Sequence, residues 1–132
     1  MTEAIFKDVV HHFCEVVGLA QTPELQQERR LLIDGLSVEL SQKYEAETLD
    51  ISIDLGAVPS GREEPVYRTL LEMNAVASAS RAGQIGLHAG TGHVVFNASM
   101  PLTTSSTGED LVDLVDRVIG QAQYLRDAAL QP

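Results

Sequence analysis

The side chains best suited to chemistry in this sequence are four histidines and one cysteine. His11, His12 and Cys14 lie close together near the N-terminus, and His88 and His93 flank a glycine-rich stretch. Imidazole and thiolate groups are common ligands of zinc, so these residues are candidate metal ligands. Their spacing argues against a metal site, because neighbours on a helix point about 100° apart and helical ligand pairs lie three or four positions apart. We therefore predict structural roles for all five.

Two other patterns superficially resemble functional motifs. Gly86, Gly90 and Gly92 are spaced like glycines of a phosphate-binding loop, but no helix follows them and no lysine accompanies them. Glu63 and Glu64 are paired carboxylates at the start of a predicted helix, where the helix dipole favours acidic residues for structural reasons. No serine or cysteine occupies a strand–turn–helix nucleophile elbow. The sequence therefore predicts no enzyme activity, cofactor or metal.

Length and charge restrict the remaining functions. A chain of 132 residues forms one domain with a single modest core, so we predict one unit over residues 1–132. The formal net charge of −10 repels phosphate backbones and anionic lipid headgroups, which disfavours nucleic-acid and membrane partners. The acidic residues are dispersed along the chain, a pattern typical of a charged coat that keeps a small protein soluble.

Cysteine usage and hydropathy bear on the compartment. Cys14 is the only cysteine and cannot form an internal disulfide, and the N-terminus lacks the pattern of a signal peptide. No apolar stretch reaches the roughly 20 residues that span a bilayer. We therefore expect a cytoplasmic protein.

Three segments have apolar residues at a helical period, so we predict three helices. The first covers residues 3 to 17, the second begins at the capping-box pair Ser60 and Glu63, and the third begins near Glu109 and Asp110. The apolar stripes are Ile5, Phe6, Val9, Val10, Phe13, Val16 and Val17 in the first helix, Val66, Tyr67, Leu70, Leu71, Met73, Val76 and Ala77 in the second, and Leu111, Leu114, Val115, Val118, Ile119, Ala122, Leu125 and Ala129 in the third.

The segments between the helices predict five strands. A brief strand, Arg30–Ile33, precedes the turn pair Asp34-Gly35, and alternating apolar residues then predict two long strands joined through residues 45–47. These strands are Leu36 to Tyr44 and Leu49 to Leu55, and a second hairpin joins Ile85–His88 to Val94–Met100 around residues 89–92. The order helix, three strands, helix, two strands, helix predicts an α+β fold, in which an antiparallel sheet is covered by helices.

Several segments resemble a known family. They are Gly56–Asn74, the hairpin Leu87–Phe96, and Met100-Pro101-Leu102 followed by a polar stretch and a final helix. Together they resemble the small acidic class I chaperones of bacterial type III secretion, the Tir chaperone (CesT-like) family, over nearly the whole chain. The resemblance implies the α+β fold and a homodimer that binds the extended N-terminal segment of an effector protein without ATP. It also allows a regulatory relative that sequesters a regulator or anti-activator of secretion genes.

The resemblance also assigns residues to two surfaces. The family's substrate groove maps onto helix one and the first strands, at Ile5, Val9, Phe13, Leu32, Ile33 and Val38. The dimer interface maps onto helix two and the strand after it, at Tyr67, Leu70, Leu71, Asn74, Ile85 and Leu87. Each groove residue has an alternative role in the core.

Two features leave more than one interpretation open. Asn74, a polar residue in an apolar stripe, either fixes register across an interface or bonds to nearby backbone. The surface acids either serve solubility alone or steer a basic partner, such as the secretion ATPase or a lysine-rich effector segment.

Overall fold

The computed structural model describes residues 2–17, 30–43, 47–80 and 83–130. Tyr44, the predicted junction at residues 45 and 46, and the predicted helix end at Gly18 lie outside the described residues. The described elements follow the predicted order of helix, three strands, helix, two strands, helix. They are α1 (Thr2–Val17), β1 (Arg30–Ile33), β2 (Leu36–Lys43), β3 (Thr48–Gly56), α2 (Glu63–Ser80), β4 (Gln84–Leu87), β5 (Val94–Pro101) and α3 (Gly108–Leu125), which continues into a π-helical turn (Arg126–Leu130).

The five strands form one antiparallel sheet in the order β1-β2-β3-β5-β4. Ile33 pairs with Leu36 across the two-residue turn Asp34-Gly35. Both turn residues have positive φ angles, 50° and 79°, as a type I′ hairpin turn requires. The described part of the sheet therefore has β1 at one edge and β4 at the other.

The inner face of the sheet carries the core. Val38, Ile53 and Phe96 lie in one cross-strand row and are almost completely buried. On the outer face, Glu39 and Asp54, which follow Val38 and Ile53 in the sequence, are exposed to solvent. Because successive side chains of a strand point to opposite faces, alternation in the sequence predicts which residues are inside. This prediction is confirmed in β2 and β3, and β5 shows the same alternation.

The helices cover the inner face, where α1 packs on α3 and α3 contacts β3 and β5. Thr107 caps α3 in a capping box: its hydroxyl accepts from the Asp110 amide, and the Asp110 carboxylate accepts from the Thr107 amide. Next to it, the Gly108 amide donates to Nδ1 of His12 on α1, at 3.0 Å. This bond ties the start of α3 to the middle of α1.

The predicted capping box of the second helix takes a different form in the structure. α2 begins at Glu63, and the Glu63 carboxylate accepts from the amide of Gly61 and not from that of Ser60. Gly61 has a φ angle of 82°, a left-handed conformation that glycine adopts without strain. The resulting turn brings the Gly61 amide to the carboxylate.

Candidate functional site

The residues best suited to chemistry lie apart and have structural partners. His88 Nδ1 accepts hydrogen bonds from the amides of Gly90 and Thr91 and so organises the turn between β4 and β5. His93 contacts both carboxylate oxygens of Asp54 on β3, each at 3.1 Å. Within the described residues no group of three or more His, Cys, Asp and Glu side chains is arranged to hold a metal ion.

The three candidate metal ligands near the N-terminus also have structural roles. His11 Nε2 lies 2.8 Å from the Glu15 carboxylate one helical turn away, and His12 accepts from Gly108 as described above. Cys14 is buried in the core, and this burial raises the pKa of its thiol. A raised pKa leaves less thiolate, which is the reactive form, so Cys14 behaves as a small apolar residue.

An apolar groove lies between α2 and the edge strand β4, and we call it the α2–β4 groove. Its volume is about 290 Å³. Its lining residues are Tyr67, Leu70, Leu71, Asn74, Ile85, Gly86 and Leu87. The structure therefore brings together all six residues that the family resemblance assigned to a dimer interface. It adds Gly86, which no side-chain pattern could indicate because it contributes backbone.

Exposure differs strongly among these lining residues. Leu71 is 70% exposed and Leu87 is 53% exposed, whereas Leu70 is buried. Tyr67 and Leu71 also line a wide shallow depression on α2 that is bordered by charged side chains. Those charged residues are Glu63, Glu64, Arg68 and Glu72. The groove is thus an apolar strip with a charged margin, the composition of many protein-binding surfaces.

Asn74 lies in this groove and bonds to β4. Its Oδ1 accepts from the amide of Ile85 at 2.8 Å. This bond resembles the second sequence interpretation, a bond to backbone, but the backbone group belongs to the adjacent strand and not to the helix itself. A role in fixing register across an interface stays a prediction.

The predicted effector-binding residues are divided between the surface and the core. Leu32 is 77% exposed at the β1 edge, and Ile5 and Ile33 are half-buried. Val9, Phe13 and Val38 are at most 2% exposed and belong to the core. Contact between an effector and these three side chains would require the packed core to open, and the assignment of all six stays a prediction.

Among the described residues, two exposed large apolar residues lie outside both predicted surfaces. Val16 on α1 is 47% exposed and Tyr124 on α3 is 68% exposed. Val16 belongs to the predicted apolar stripe of the first helix, so periodicity indicated a buried side chain at this position. Tyr124 lies outside the apolar stripe of α3. An aromatic residue off the buried face is the sequence signal that would have indicated its exposure.

A small antiparallel sheet, covered on one face by three helices and carrying exposed apolar strips at its edges, defines an α+β protein-binding domain. The sequence matches the model of the Tir chaperone protein (CesT) family over residues 8–126. The chain therefore belongs to this family, whose members are type III secretion chaperones. A search of curated protein sequences finds no match.

Solved structures share the fold at low sequence identity. A chain of the ExsC–ExsE complex has a TM-score of 0.76 at 20% identity, covering 98% of this chain and 96% of its own. A chain of the HopA1–SchA chaperone–effector complex has a TM-score of 0.75 at 16% identity, with 93% and 94% covered. A chain of the heterodimeric ExoU–SpcU complex from the type III secretion system of Pseudomonas aeruginosa has a TM-score of 0.66 at 21% identity, with 91% and 96% covered.

None of the helices in the described ranges combines the length and the apolar character that crossing a membrane requires.

Proposed function

We propose that this protein is a type III secretion chaperone that binds the extended N-terminal segment of an effector and keeps it soluble and secretion-competent without ATP. The observation that carries the proposal is the family match over residues 8–126. Structures of similar fold include one described as a chaperone–effector complex. The site geometry supports binding, because its exposed groups are apolar side chains and strand edges.

The distribution of apolar residues fits a protein that covers a non-globular client. The core is one continuous cluster drawn from all three helices and from β1, β2, β3 and β5. Leu32, Leu71 and Leu87 lie outside it with more than half of their surface exposed. Exposed apolar strips favour association, and the net charge of −10 offsets their tendency to cause non-specific aggregation.

The two predicted surfaces receive separate roles in this proposal. The α2–β4 groove holds a second copy of the chain in a homodimer. The β1 edge, with Leu32 and the half-buried Ile5 and Ile33, contacts the client. An extended client segment adds to a sheet edge through main-chain hydrogen bonds and places alternate side chains against apolar positions. Val9, Phe13 and Val38 then support this surface from the core.

The same surfaces suit the alternative role, in which the client is a regulator or anti-activator of secretion genes. The identity of the client separates the two roles, since the physics of binding is the same for both. Recruitment of the secretion ATPase by the acidic surface is a further prediction, which rests on net charge alone.

Co-expression with the secreted proteins encoded nearby, followed by size-exclusion chromatography with light scattering, tests the proposal. We expect a complex of two copies with one N-terminal effector segment. Leu32→Glu should weaken retention of the client, because it places a charge on the proposed contact, whereas Ser37→Glu, opposite Leu32 on β2, should leave retention unchanged. Elution of the protein alone with every candidate would contradict the effector role, and co-elution with a regulator would favour the alternative.

A further inference from the structure

The outward-facing backbone of β4 can be identified from its hydrogen bonds. The His88 amide donates to the His93 carbonyl at 2.9 Å, so it points toward β5. Amides of successive strand residues point to opposite sides, so the Leu87 and Ile85 amides point away from β5. The bond from the Ile85 amide to Asn74 agrees with this assignment, because Asn74 belongs to α2 and not to the sheet.

β4 is therefore an edge strand with two outward amides, one of which is occupied. The described part of β4 pairs only with β5. The Asn74 carboxamide stands at the Ile85 amide, where the carbonyl group of an added strand would have to be placed. An incoming strand would displace it and leave Oδ1 without a donor in a groove lined mainly by apolar side chains. Natural proteins protect exposed sheet edges with obstacles of this kind.

We propose that Asn74 is a positioning residue that closes the β4 edge to strand pairing with a second copy of this chain. This inference rests on the proposed dimer at the α2–β4 groove, because that dimer identifies the excluded strand as β4 of the second copy. A two-fold symmetric contact at this groove brings the β4 edges of the two copies toward each other. With the edge closed, the copies contact each other through side chains such as Leu71 and Leu87, and the two sheets do not join.

Amide hydrogen exchange on the full chain tests the proposal through the second outward amide, that of Leu87. Asn74→Ala removes the acceptor and opens the edge, while the wild-type chain keeps the acceptor and is the control, because Asn74→Asp would add a charge to the proposed contact between copies. In Asn74→Ala we expect β4 strands to pair, so that the Leu87 amide exchanges at least about tenfold more slowly than in the wild-type chain. Dilution should remove the difference, because pairing depends on concentration. The double variant Asn74→Ala with Leu87→Pro, which deletes this outward donor, should lose the paired species.

The possible outcomes separate the role of Asn74 from the dimer itself. Equal Leu87 exchange rates in Asn74→Ala and in the wild-type chain would overturn the proposal, even if the Ile85 amide exchanged faster in Asn74→Ala, because Asn74 would then only secure β4 to α2. Light scattering reports the dimer independently. A monomeric wild type with a dimeric Asn74→Ala would refute the proposed dimer and still support closure of the edge by Asn74. Monomers in both proteins would refute both statements.

Discussion

Replacing Gly108 with alanine tests how α1 is held on the rest of the subunit. An added Cβ would lie 2.3 Å from the Phe13 amide nitrogen and 2.5 Å from the His12 carbonyl carbon. Ordinary contacts begin at 3.4 Å, so α1 and α3 would have to separate by about 1 Å in a close-packed interface. That movement would also break the 3.0 Å bond from the Gly108 amide to His12.

The expected loss combines overpacking with one lost hydrogen bond. We expect the free energy of unfolding to fall by about 2–4 kcal/mol, which lowers Tm by about 7–14 °C in a domain of this size. Thermal unfolding followed by circular dichroism, at one fixed protein concentration, measures the change. A Tm equal to or above that of the wild type would refute the close approach of the two helices.

Gly120 provides a matched control in the same helix. It is exposed, and an added Cβ would meet no atom within 4 Å. Gly120→Ala should therefore raise the stability by about 0.5–1 kcal/mol through helix propensity alone, the opposite sign to Gly108→Ala. Both substitutions make the same chemical change, so the difference between them isolates the contact with α1.

Three other predictions follow from burial and charge. Val38→Asp should unfold the subunit with a loss above about 4 kcal/mol, because it buries an unpaired charge, whereas Ser37→Asp on the outer face should leave Tm within a few degrees of wild type. Leu71→Glu should yield folded monomers by light scattering. A Leu71→Glu variant that stays dimeric would rule out the groove as the contact between copies. Asp54 lies on the outer face. Partial burial raises its pKa, but hydrogen bonds from His93 and the Gly56 amide outweigh this effect, so the pKa of Asp54 is lowered overall. A lowered pKa means that the ionised carboxylate stabilises the fold above its unfolded pKa of about 3.9. Asp54→Asn should therefore lower the free energy of unfolding by less than about 1 kcal/mol at pH 7. The difference in stability between this variant and the wild type should disappear as the pH falls through the lowered pKa. A difference that persisted at pH 2 would contradict this assignment.

The sequence predicted the order of elements and the inner face of the long strands because both follow from local periodicity. Periodicity was less informative in β1, where Leu31, Leu32 and Ile33 are all apolar and do not define a phase. The pairing of Leu31 with the buried Val38 determines the phase of β1, so Leu31 is buried and Leu32 is exposed. The phase of a short apolar strand depends on its neighbour, which sequence alone does not specify.

The contacts that shape the candidate site were less predictable for the same reason. The family resemblance, mapped onto α2 and the following strand, indicated six of the residues that line the α2–β4 groove. The bond between Asn74 and the Ile85 amide depends on how close α2 lies to β4, and the contact of Gly108 with His12 joins residues that are 96 positions apart. Such contacts arise from packing between elements and leave no periodic pattern in the sequence.

Under the proposed function, the strand order sets the geometry of client binding. β1 and β4 are at opposite edges of the described sheet, four strand intervals or about 19 Å apart, so a client at β1 and a second copy at β4 do not compete for the same surface. If the two sheets of a dimer joined at the α2–β4 groove lie side by side in one plane, its two β1 edges are about 40 Å apart. An extended chain advances about 3.3 Å per residue, so a segment must contain at least about 12 residues to contact both edges. A longer effector segment can occupy both edges of one dimer, which favours two chaperone copies per effector, whereas a shorter segment leaves one edge open for a second effector molecule.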